Sequence, residues 1–262
     1  MIDSAGFTAP AKAAEPSAAI ARLTPETRPA ERIIGYQRWH SMLFLHWPLP
    51  VDAVAKYLPR RLAVDTLDGE AWISATLFTI TGARVRPLPP LPGLARFHEA
   101  NLRTYVHLEG KDPGIWFFSL DASNALACAL ARMSLQLPYF PARMKRQQVR
   151  DEQRFDSRRV ALRSSKRAKI SAAWRSSGAL IELPAGSREH FLTQRFFLYS
   201  PAPGGRLWKE QVHHAPWPLF PAELLELDQT LDEAHELPFL SKRPLAHWSP
   251  GVDVEFYPPH LV

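Results

Sequence analysis

Cysteine is nearly absent from this chain of 262 residues, in which Cys128 is the single example. One cysteine cannot form an intrachain disulfide, so the composition excludes a disulfide-stapled fold and is typical of a protein in the reducing cytoplasm. Cys128 lies in an apolar helical stretch, which predicts a buried thiol that does not react.

Long apolar runs are also absent, and no segment approaches the roughly 18 residues that a membrane-spanning helix needs. Residues 1–33 are rich in Ala and Pro. They contain no apolar segment followed by a cleavage site, so we expect a disordered tail without a secretory signal. One folded domain is expected over residues 34–262.

The chain lacks the glycine motifs of phosphate and dinucleotide sites, and it has no paired cysteines for zinc. The adjacent His213 and His214 cannot bind one ion from a regular strand, since neighbouring residues of a strand point to opposite faces. A Gly-x-Ser-x-Gly turn for a nucleophilic serine is missing as well. These absences predict a protein with no bound metal and no cofactor.

What the chain does have is a run of alternating side chains between Glu99 and His107. In a strand, one face of this run would carry a carboxylate, an amide, a guanidinium, a phenol and an imidazole, from Glu99, Asn101, Arg103, Tyr105 and His107. The opposite face is more apolar, so we expect it to pack against the protein while the polar face lines a cavity. A polar face that points into bulk water is the alternative.

The rest of the chain predicts many short strands and few helices. We expect strands at Arg38–Trp47, Ala71–Thr79, Ile115–Leu120, Arg158–Arg163, Lys169–Arg175, Ala179–Leu183, Leu207–His214 and Val252–Tyr257, with an apolar run at Arg195–Ser200. Helices are expected at Ala53–Leu58, from Asp121 or Ser123 to Leu135, at Ser187–Leu192 and at Ala222–Leu231. Four prolines between Arg84 and Leu94 indicate an extended loop at a rim. This pattern predicts an α+β protein dominated by an antiparallel sheet or barrel.

The net charge of +6 is concentrated in one segment. Residues 143–175 contain twelve Lys or Arg and three Asp or Glu, a local excess of nine positive charges. Such a segment can bind nucleic acid or an acidic partner. Because few aromatic residues are interleaved and no nucleic-acid motif surrounds it, we favour a solvated basic surface and expect no nucleic-acid partner.

Several sequence blocks, in the same order, resemble the YqjF-like family of uncharacterised bacterial proteins. The blocks are FLHWPLP (44–50), DTLDGEAWISATLF (65–78), HEANLRTYV (98–106), WFFSLDA (116–122), ARMSLQLPYFPARM (131–144), GSREHFLTQRFFLYS (186–200), VHHAPWPL (212–219) and GVDVEFYPP (251–259). The resemblance runs from about Arg38 to the C-terminus. That family is similar in fold to acetoacetate decarboxylase, which implies a funnel-shaped, mainly antiparallel β-barrel with flanking helices.

The resemblance also implies where catalytic groups would lie. Glu99 matches a glutamate of the decarboxylase, whereas Tyr139 and Phe140 stand where its two lysines should be. Schiff-base chemistry needs a lysine amine that is neutral enough to attack a ketone, and an aromatic pair cannot replace it. Lys145 lies six residues beyond Tyr139 in a basic cluster, so we expect it to be exposed to solvent.

These considerations predict a site inside the barrel. Glu99 and Arg103 are the candidate catalytic residues, and we expect Arg103 to keep Glu99 ionised. The candidate ligand-binding residues are Asn101, Tyr105, Tyr139, Arg132 and His46. For each of them a structural role is the alternative: a strand-setting ion pair, an aromatic plug at a helix end, an arginine that serves the fold, or a core histidine.

Three functions remain open on the sequence. The first is a protein that binds a small anionic or polar metabolite in the funnel. The second is a lysine-independent lyase or hydratase that acts on a keto or enol acid, with Glu99 as acid and base. The third is a nucleic-acid or protein adaptor that works through residues 143–175. We expect no membrane partner, and a homo-oligomer is compatible with the sequence.

Overall fold

A computed structural model of the protein describes residues 27–160, 166–237 and 242–262. Most of the predicted tail therefore lies outside the described residues. The strands are β1 Gly35–Leu49, β2 Leu62–Val64, β3 Ala71–Val85, β4 Arg96–Leu108, β5 Lys111–Ala122, β6 Tyr139–Val149, β7 Glu152–Arg159, β8 Lys169–Ser176, β9 Phe197–Pro201, β10 Leu207–His214, β11 Phe220–Gln229, β12 Leu245–Phe256 and β13 His260–Leu261. The helices are α1 Val51–Ala55, α2 Ala125–Leu135, α3 Arg188–Thr193 and α4 Leu231–His235.

Most strand pairs are antiparallel, and seven strands are connected in a ring of pairings. β1 pairs with β3, β3 with β4, β4 with β5, β5 with β9, β9 with β10, β10 with β12, and β12 returns to β1. The pairing of β5 with β9 is parallel, and so is that of β5 with β6 across the helix α2. The predicted class, an α+β protein built mainly on an antiparallel sheet, is confirmed.

The junction of β5 with β9 depends on Gly114. A Cβ atom at this position would lie 2.6 Å from the backbone oxygen of Phe197 and 2.7 Å from the Tyr199 ring. Atoms cannot approach so closely, so only glycine allows the two backbones to pair at this register.

The remaining strands pack outside the ring. β6, β7, β8 and β11 form an antiparallel layer whose apolar side chains contact the outward face of β1, β3 and β4. Ala100 and Leu102 of β4 belong to this core, together with Leu43, Trp47 and Trp174. The even-numbered face of β4 therefore packs against protein, which directs its odd-numbered face to the interior of the ring.

Strand positions agree well with the sequence, whereas two segments were predicted wrongly. The expected helix at Ala222–Leu231 is strand β11, which pairs with β8 along its length. Its apolar and acidic residues are spaced as in a helix, but backbone pairing with β8 stabilises the segment more than a helix would. β6 was not predicted, and Ala179–Leu183 forms only a single bridge, between Ile181 and Leu219.

Two other elements begin or end at residues different from those predicted. The strand expected at Arg158–Arg163 is β7, which begins earlier and ends at Arg159; the segment 161–165 lies outside the described residues. Helix α2 begins after Asn124, whose side-chain oxygen accepts a hydrogen bond from the Ala127 amide at 3.1 Å. Its Cys128 is buried, and burial raises the pKa of the thiol to about 11.

Across the described ranges, no helix has the length and apolarity required to traverse a lipid bilayer.

Candidate functional site

A cavity of about 720 Å³ lies inside the ring of strands. Residues from β1, β3, β4, β5, β9 and β10 form its wall, together with α2 and the proline-rich segment that follows β3. Most of the wall is apolar, and the polar groups are few. Those discussed below are Glu99, Asn101, Arg103, Tyr139, Arg195, Glu210 and His214. A mostly apolar hollow with a few convergent polar groups is the usual form of a small-molecule site.

Glu99 is the centre of a hydrogen-bonded group on β4. Its carboxylate accepts a hydrogen bond from the Tyr139 hydroxyl at 3.0 Å and another from the Asn101 amide at 3.1 Å. The hydroxyl of Thr76 in turn donates to the Asn101 carbonyl oxygen. Glu99 is only 3% exposed, and burial raises its pKa to about 7, against the opposing effect of these two donors. The carboxyl group can therefore give and take a proton near neutral pH.

Arg103 is buried in the wall two steps further along the same face. Among the described residues it forms no ion pair with a carboxylate, its Nε has no hydrogen-bond partner, and Tyr105 provides its side-chain hydrogen bond. Our expectation that Arg103 keeps Glu99 ionised was wrong. The structure pairs Glu99 with neutral donors instead, and the pKa of Glu99 moves upward because desolvation outweighs them.

Two further charged residues reach the cavity and were missed by the sequence analysis. Arg195, between α3 and β9, donates to Asp65 at 2.6 Å, and its guanidinium lies over the rings of Phe191 and Tyr105. Glu210 of β10 is 8% exposed, and burial raises its pKa to about 7. The alternation of β10 could have revealed Glu210, but no local pattern links Arg195 to Asp65 across 130 residues.

The two adjacent histidines behave as their spacing predicts. His214 shares the inward face of β10 with Glu210, and burial lowers its pKa to about 4, so the ring is neutral. His213 lies on the other face, where its Nδ1 is 3.7 Å from Glu255. Within the described part of the chain, no group of three or more potential ligands is arranged to hold a metal ion.

Three predicted site residues lie away from the cavity wall. Tyr105 is fully buried behind it, and its hydroxyl donates to the Leu192 carbonyl oxygen at 2.8 Å and lies 3.2 Å from Nδ1 of His46. Arg132 is exposed on α2, with its guanidinium 3.4 Å from the Tyr139 carbonyl oxygen. The structure thus brings Glu99, Asn101, Arg103 and Tyr139 together in the cavity wall. Tyr105, His46 and Arg132 lie around them.

The turn after α2 carries no amine into the cavity. Tyr139 contributes its hydroxyl to the wall, whereas the Phe140 ring packs under the guanidinium of Arg159 at 4.0 Å. Lys145 is exposed on β6. No lysine is found among the described residues of the wall.

Part of the basic segment is neutralised by acids from a neighbouring strand. Arg154 contacts Glu226 at 3.1 Å, Lys169 contacts Asp228 at 2.6 Å and Arg175 contacts Glu223 at 2.7 Å. We call these six residues the charged ladder. Since β11 supplies all three acids, the excess of positive charge counted along the sequence does not correspond to an equally basic surface.

Comparison with known proteins identifies the family. A model of the DUF2071 family, described as an uncharacterized conserved protein, matches residues 36–253. The chain belongs to this family. It is also 40% identical over 222 residues to the uncharacterized protein YqjF of Bacillus subtilis, which covers 85% of this chain and 90% of that protein. The family expected from the sequence blocks is confirmed.

Solved structures with this fold include acetoacetate decarboxylase-like enzymes. The enduracididine biosynthesis enzyme MppR, complexed with pyruvate, has a TM-score of 0.62 at 15% identity and covers 95% of this DUF2071 chain and 98% of its own. An acetoacetate decarboxylase-like enzyme from Sphingomonas wittichii has a TM-score of 0.61 at 14% identity, and the match covers 94% of this chain and 99% of that enzyme. Acetoacetate decarboxylase from Legionella pneumophila has a TM-score of 0.61 at 12% identity, and the match covers 95% of this chain and 98% of the decarboxylase. These similarities establish an acetoacetate decarboxylase-like fold.

Proposed function

We propose that this DUF2071 protein binds a small anionic metabolite inside the ring of strands, without forming a Schiff base. The observation that carries the proposal is the buried Arg103, which lies in the cavity wall with an unsatisfied Nε and, in the part of the chain that the structure describes, no carboxylate partner. A buried cation without an acid to balance it is costly, and an anionic ligand would supply the missing charge. We take the ring to be the wall of a funnel-shaped barrel and the working compartment to be the cytoplasm.

The absence of a lysine from the described wall supports binding without imine formation. MppR was determined in complex with pyruvate, so a related fold accommodates an oxo acid. Here Arg103 and Asn101 offer a guanidinium and a second amide N–H to a carboxylate and its neighbouring oxygen, while the Tyr139 hydroxyl donates to Glu99.

Thermal-shift measurements with pyruvate, 2-oxobutanoate and butanoate test the proposal, because a ligand that binds only the native state raises its melting temperature. We expect at least one of these acids to stabilise the wild-type protein and to lose this effect in Arg103→Gln. Arg175→Gln removes an arginine from the charged ladder and should leave the effect intact. An equal response of both variants would contradict an anion site at Arg103.

Borohydride trapping tests the chemistry separately. We expect no mass increase after the protein is treated with pyruvate and borohydride, because the described wall offers no amine. A reduced imine on Lys145 would overturn this part of the proposal.

A second candidate, a lysine-independent lyase or hydratase, is favoured by one observation: the pKa of Glu99 is raised to about 7 beside the Tyr139 donor. In the carboxylate form, Glu99 would remove a proton from the carbon next to a ketone. Arg103 would then stabilise the enolate oxygen, and Glu99 would return a proton from water. Both reaction classes need this proton transfer.

Proton exchange in D₂O isolates that step. We expect pyruvate incubated with the protein to gain deuterium at its methyl group, as followed by NMR, and the gain to vanish in Glu99→Gln. The variant should still respond to pyruvate in the thermal-shift assay, which separates lost chemistry from lost binding. Unchanged exchange in Glu99→Gln would rule out this role for Glu99.

A further inference from the structure

We infer that the ligand is an amphipathic carboxylate: its head group lies at Arg103 and an extended apolar portion runs along the cavity to its mouth. This inference rests on the proposed function and names the class of molecule that the cavity takes. The argument depends on where the cavity holds charge, how long it is and what lines its outer part.

The buried cations of the wall, Arg103 and Arg195, are gathered at the inner end, whereas Arg84 lies exposed at the mouth. Arg103 and Arg195 are close enough for each to disfavour the charge of the other, and Arg103 also lowers the pKa of His214. Helix α3 and the buried Tyr105 cluster lie behind them, where Tyr105 packs with Phe191 and Leu192. An anionic head at this end would contact the cations and leave the remainder of the ligand only one direction to extend.

Strand register gives the distance to the outer part of the cavity. Arg103 is paired with Ser74, while Phe97, six residues earlier on β4, is paired with Ile80, which is itself paired with Trp39. At about 3.3 Å per residue, the layer of Phe97, Ile80 and Trp39 lies roughly 20 Å from Arg103. β3 continues beyond this layer to Val85, which still lines the cavity.

Most of the wall residues between these levels are apolar. They include Trp39, Met42, Phe78, Ile80, Phe97, Leu120, Val212 and Trp217. On β3 and β4, the polar wall residues Thr76, Asn101 and Glu99 lie between Arg103 and the level of Phe78, and the wall residues beyond them, Ile80 and Phe97, are apolar. A three-carbon oxo acid at Arg103 would leave most of this apolar surface bare.

The mouth itself is ringed by large apolar side chains that remain exposed. Val85, Leu88, Leu91 and Leu130 all line the cavity, and all are at least 44% exposed. A hydrogen bond of 2.6 Å from the Asn124 amide to the Gly93 carbonyl oxygen connects the proline-rich segment to the start of α2. Clustered apolar exposure marks a binding surface more often than chance, and an apolar tail leaving the cavity would cover these four residues.

Charge decides among the possible apolar occupants. An uncharged hydrocarbon would leave Arg103 without a counter-ion, whereas a hydrophobic cation would be repelled by Arg103. A carboxylate with an apolar tail satisfies both ends of the cavity.

Calorimetric titration with straight-chain monocarboxylates tests the inference. We expect affinity to rise from butanoate through hexanoate and octanoate to decanoate, by up to about fourfold for each methylene buried. The alcohols of equal length should bind at least tenfold more weakly. Arg103→Gln should weaken every member of the carboxylate series by a similar factor.

A matched pair of variants on α2 locates the tail. Leu130→Ser changes an exposed leucine of the mouth, and Leu126→Ser changes an exposed leucine of the same helix that is not part of the wall. We expect Leu130→Ser to weaken decanoate severalfold while leaving butanoate unchanged, and Leu126→Ser to alter neither. Both side chains are exposed, so neither change endangers folding.

The outcomes separate this inference from the proposed function. If butanoate or pyruvate binds as tightly as decanoate and depends on Arg103, the anion site stands and the amphipathic ligand is refuted. If affinity follows chain length but decanol matches decanoate, the carboxylate head is refuted. If none of these acids binds, both proposals fail.

Discussion

Charged side chains occur in two contrasting settings in this protein. On the charged ladder, each cation of β7 and β8 faces an acid of β11 across the sheet, and the pairs are exposed to water. In the cavity, Glu99 and Arg103 lie four residues apart on one face of β4, yet each is buried with no oppositely charged partner among the described residues. Each charged side chain of the ladder lies beside an opposite charge. Glu99 and Arg103 would have to receive an opposite charge or a hydrogen-bonding partner from a bound molecule.

The difference explains why an excess of charge in the sequence is a poor guide to function here. Exposed ion pairs contribute little to stability and are screened by salt. Buried groups that lack an opposite charge are expensive, so a fold retains them where they serve a purpose. The three ladder cations of the conspicuous basic segment have acid partners, whereas the inconspicuous arginine on β4 has none among the described residues.

The largest expected effect concerns the one fully buried ion pair at the cavity. Asp65→Ala removes an ion-pair partner of Arg195, at 2.6 Å, and leaves a buried cation without that carboxylate. We expect the free energy of unfolding to fall by about 3–5 kcal/mol, measured by denaturant titration. Glu226→Ala on the ladder is the control and should remain close to wild type. Equal losses of unfolding free energy in the two variants would contradict the difference proposed between the buried ion pair and the exposed pairs of the ladder.

The next effect is a pH dependence of opposite sign in the two regions. The pKa of Glu99 is about 7 in the folded protein and near 4.5 when unfolded, so the folded state holds its proton more tightly. Glu99 therefore stabilises the fold fully below pH 4.5, and this contribution is lost as the pH rises through 7. Glu99→Gln should flatten the stability curve between pH 5 and 8, by an amount on the order of 3 kcal/mol.

Glu223 on the ladder provides the opposite case. Arg175 lowers the pKa of Glu223, so its contribution is present at neutral pH and lost as the pH falls below the unfolded value. Glu223→Gln should therefore change stability only in acid, and slightly. A stability curve for Glu99→Gln that still falls between pH 5 and 8 as steeply as that of the wild type would mean that Glu99 does not titrate as described.

The smallest effect comes from the donor that moderates Glu99. Tyr139→Phe removes the hydroxyl that favours the carboxylate form, so the pKa of Glu99 should rise further above its value of about 7. The midpoint of the pH-dependent stability loss should move upward by as much as about one pH unit. Tyr105→Phe removes a hydroxyl behind the cavity wall and should leave that midpoint unchanged. A shift of the same size in both variants would assign it to general loosening of the core.

Much of the architecture could be predicted from the sequence because strand periodicity is local. The alternation from Glu99 to His107 placed one face toward an enclosed space, and the blocks FLHWPLP and VHHAPWPL pointed to the correct family. The helix expected at Ala222–Leu231 failed because pairing with β8 is a tertiary interaction that the segment itself does not encode.

The site was harder to predict than the fold. Residues on one strand, such as Glu99, Asn101 and Arg103, could be grouped in advance, and their roles remain predictions. The environment of Glu99 could not be derived, because it depends on the Tyr139 hydroxyl contributed by β6 and on the burial of the carboxyl group by distant parts of the chain. Arg195 and Glu210 join the site only through pairings between distant strands.

The missing side chain at Gly114 has a consequence for the whole interior. A methyl group there would force β5 and β9 apart at their parallel seam, and the hollow would become a cleft open along one flank. Solvent would then enter the interior along that seam. The enclosure of the hollow thus depends on a residue that has no functional group, located where two stretches of backbone touch.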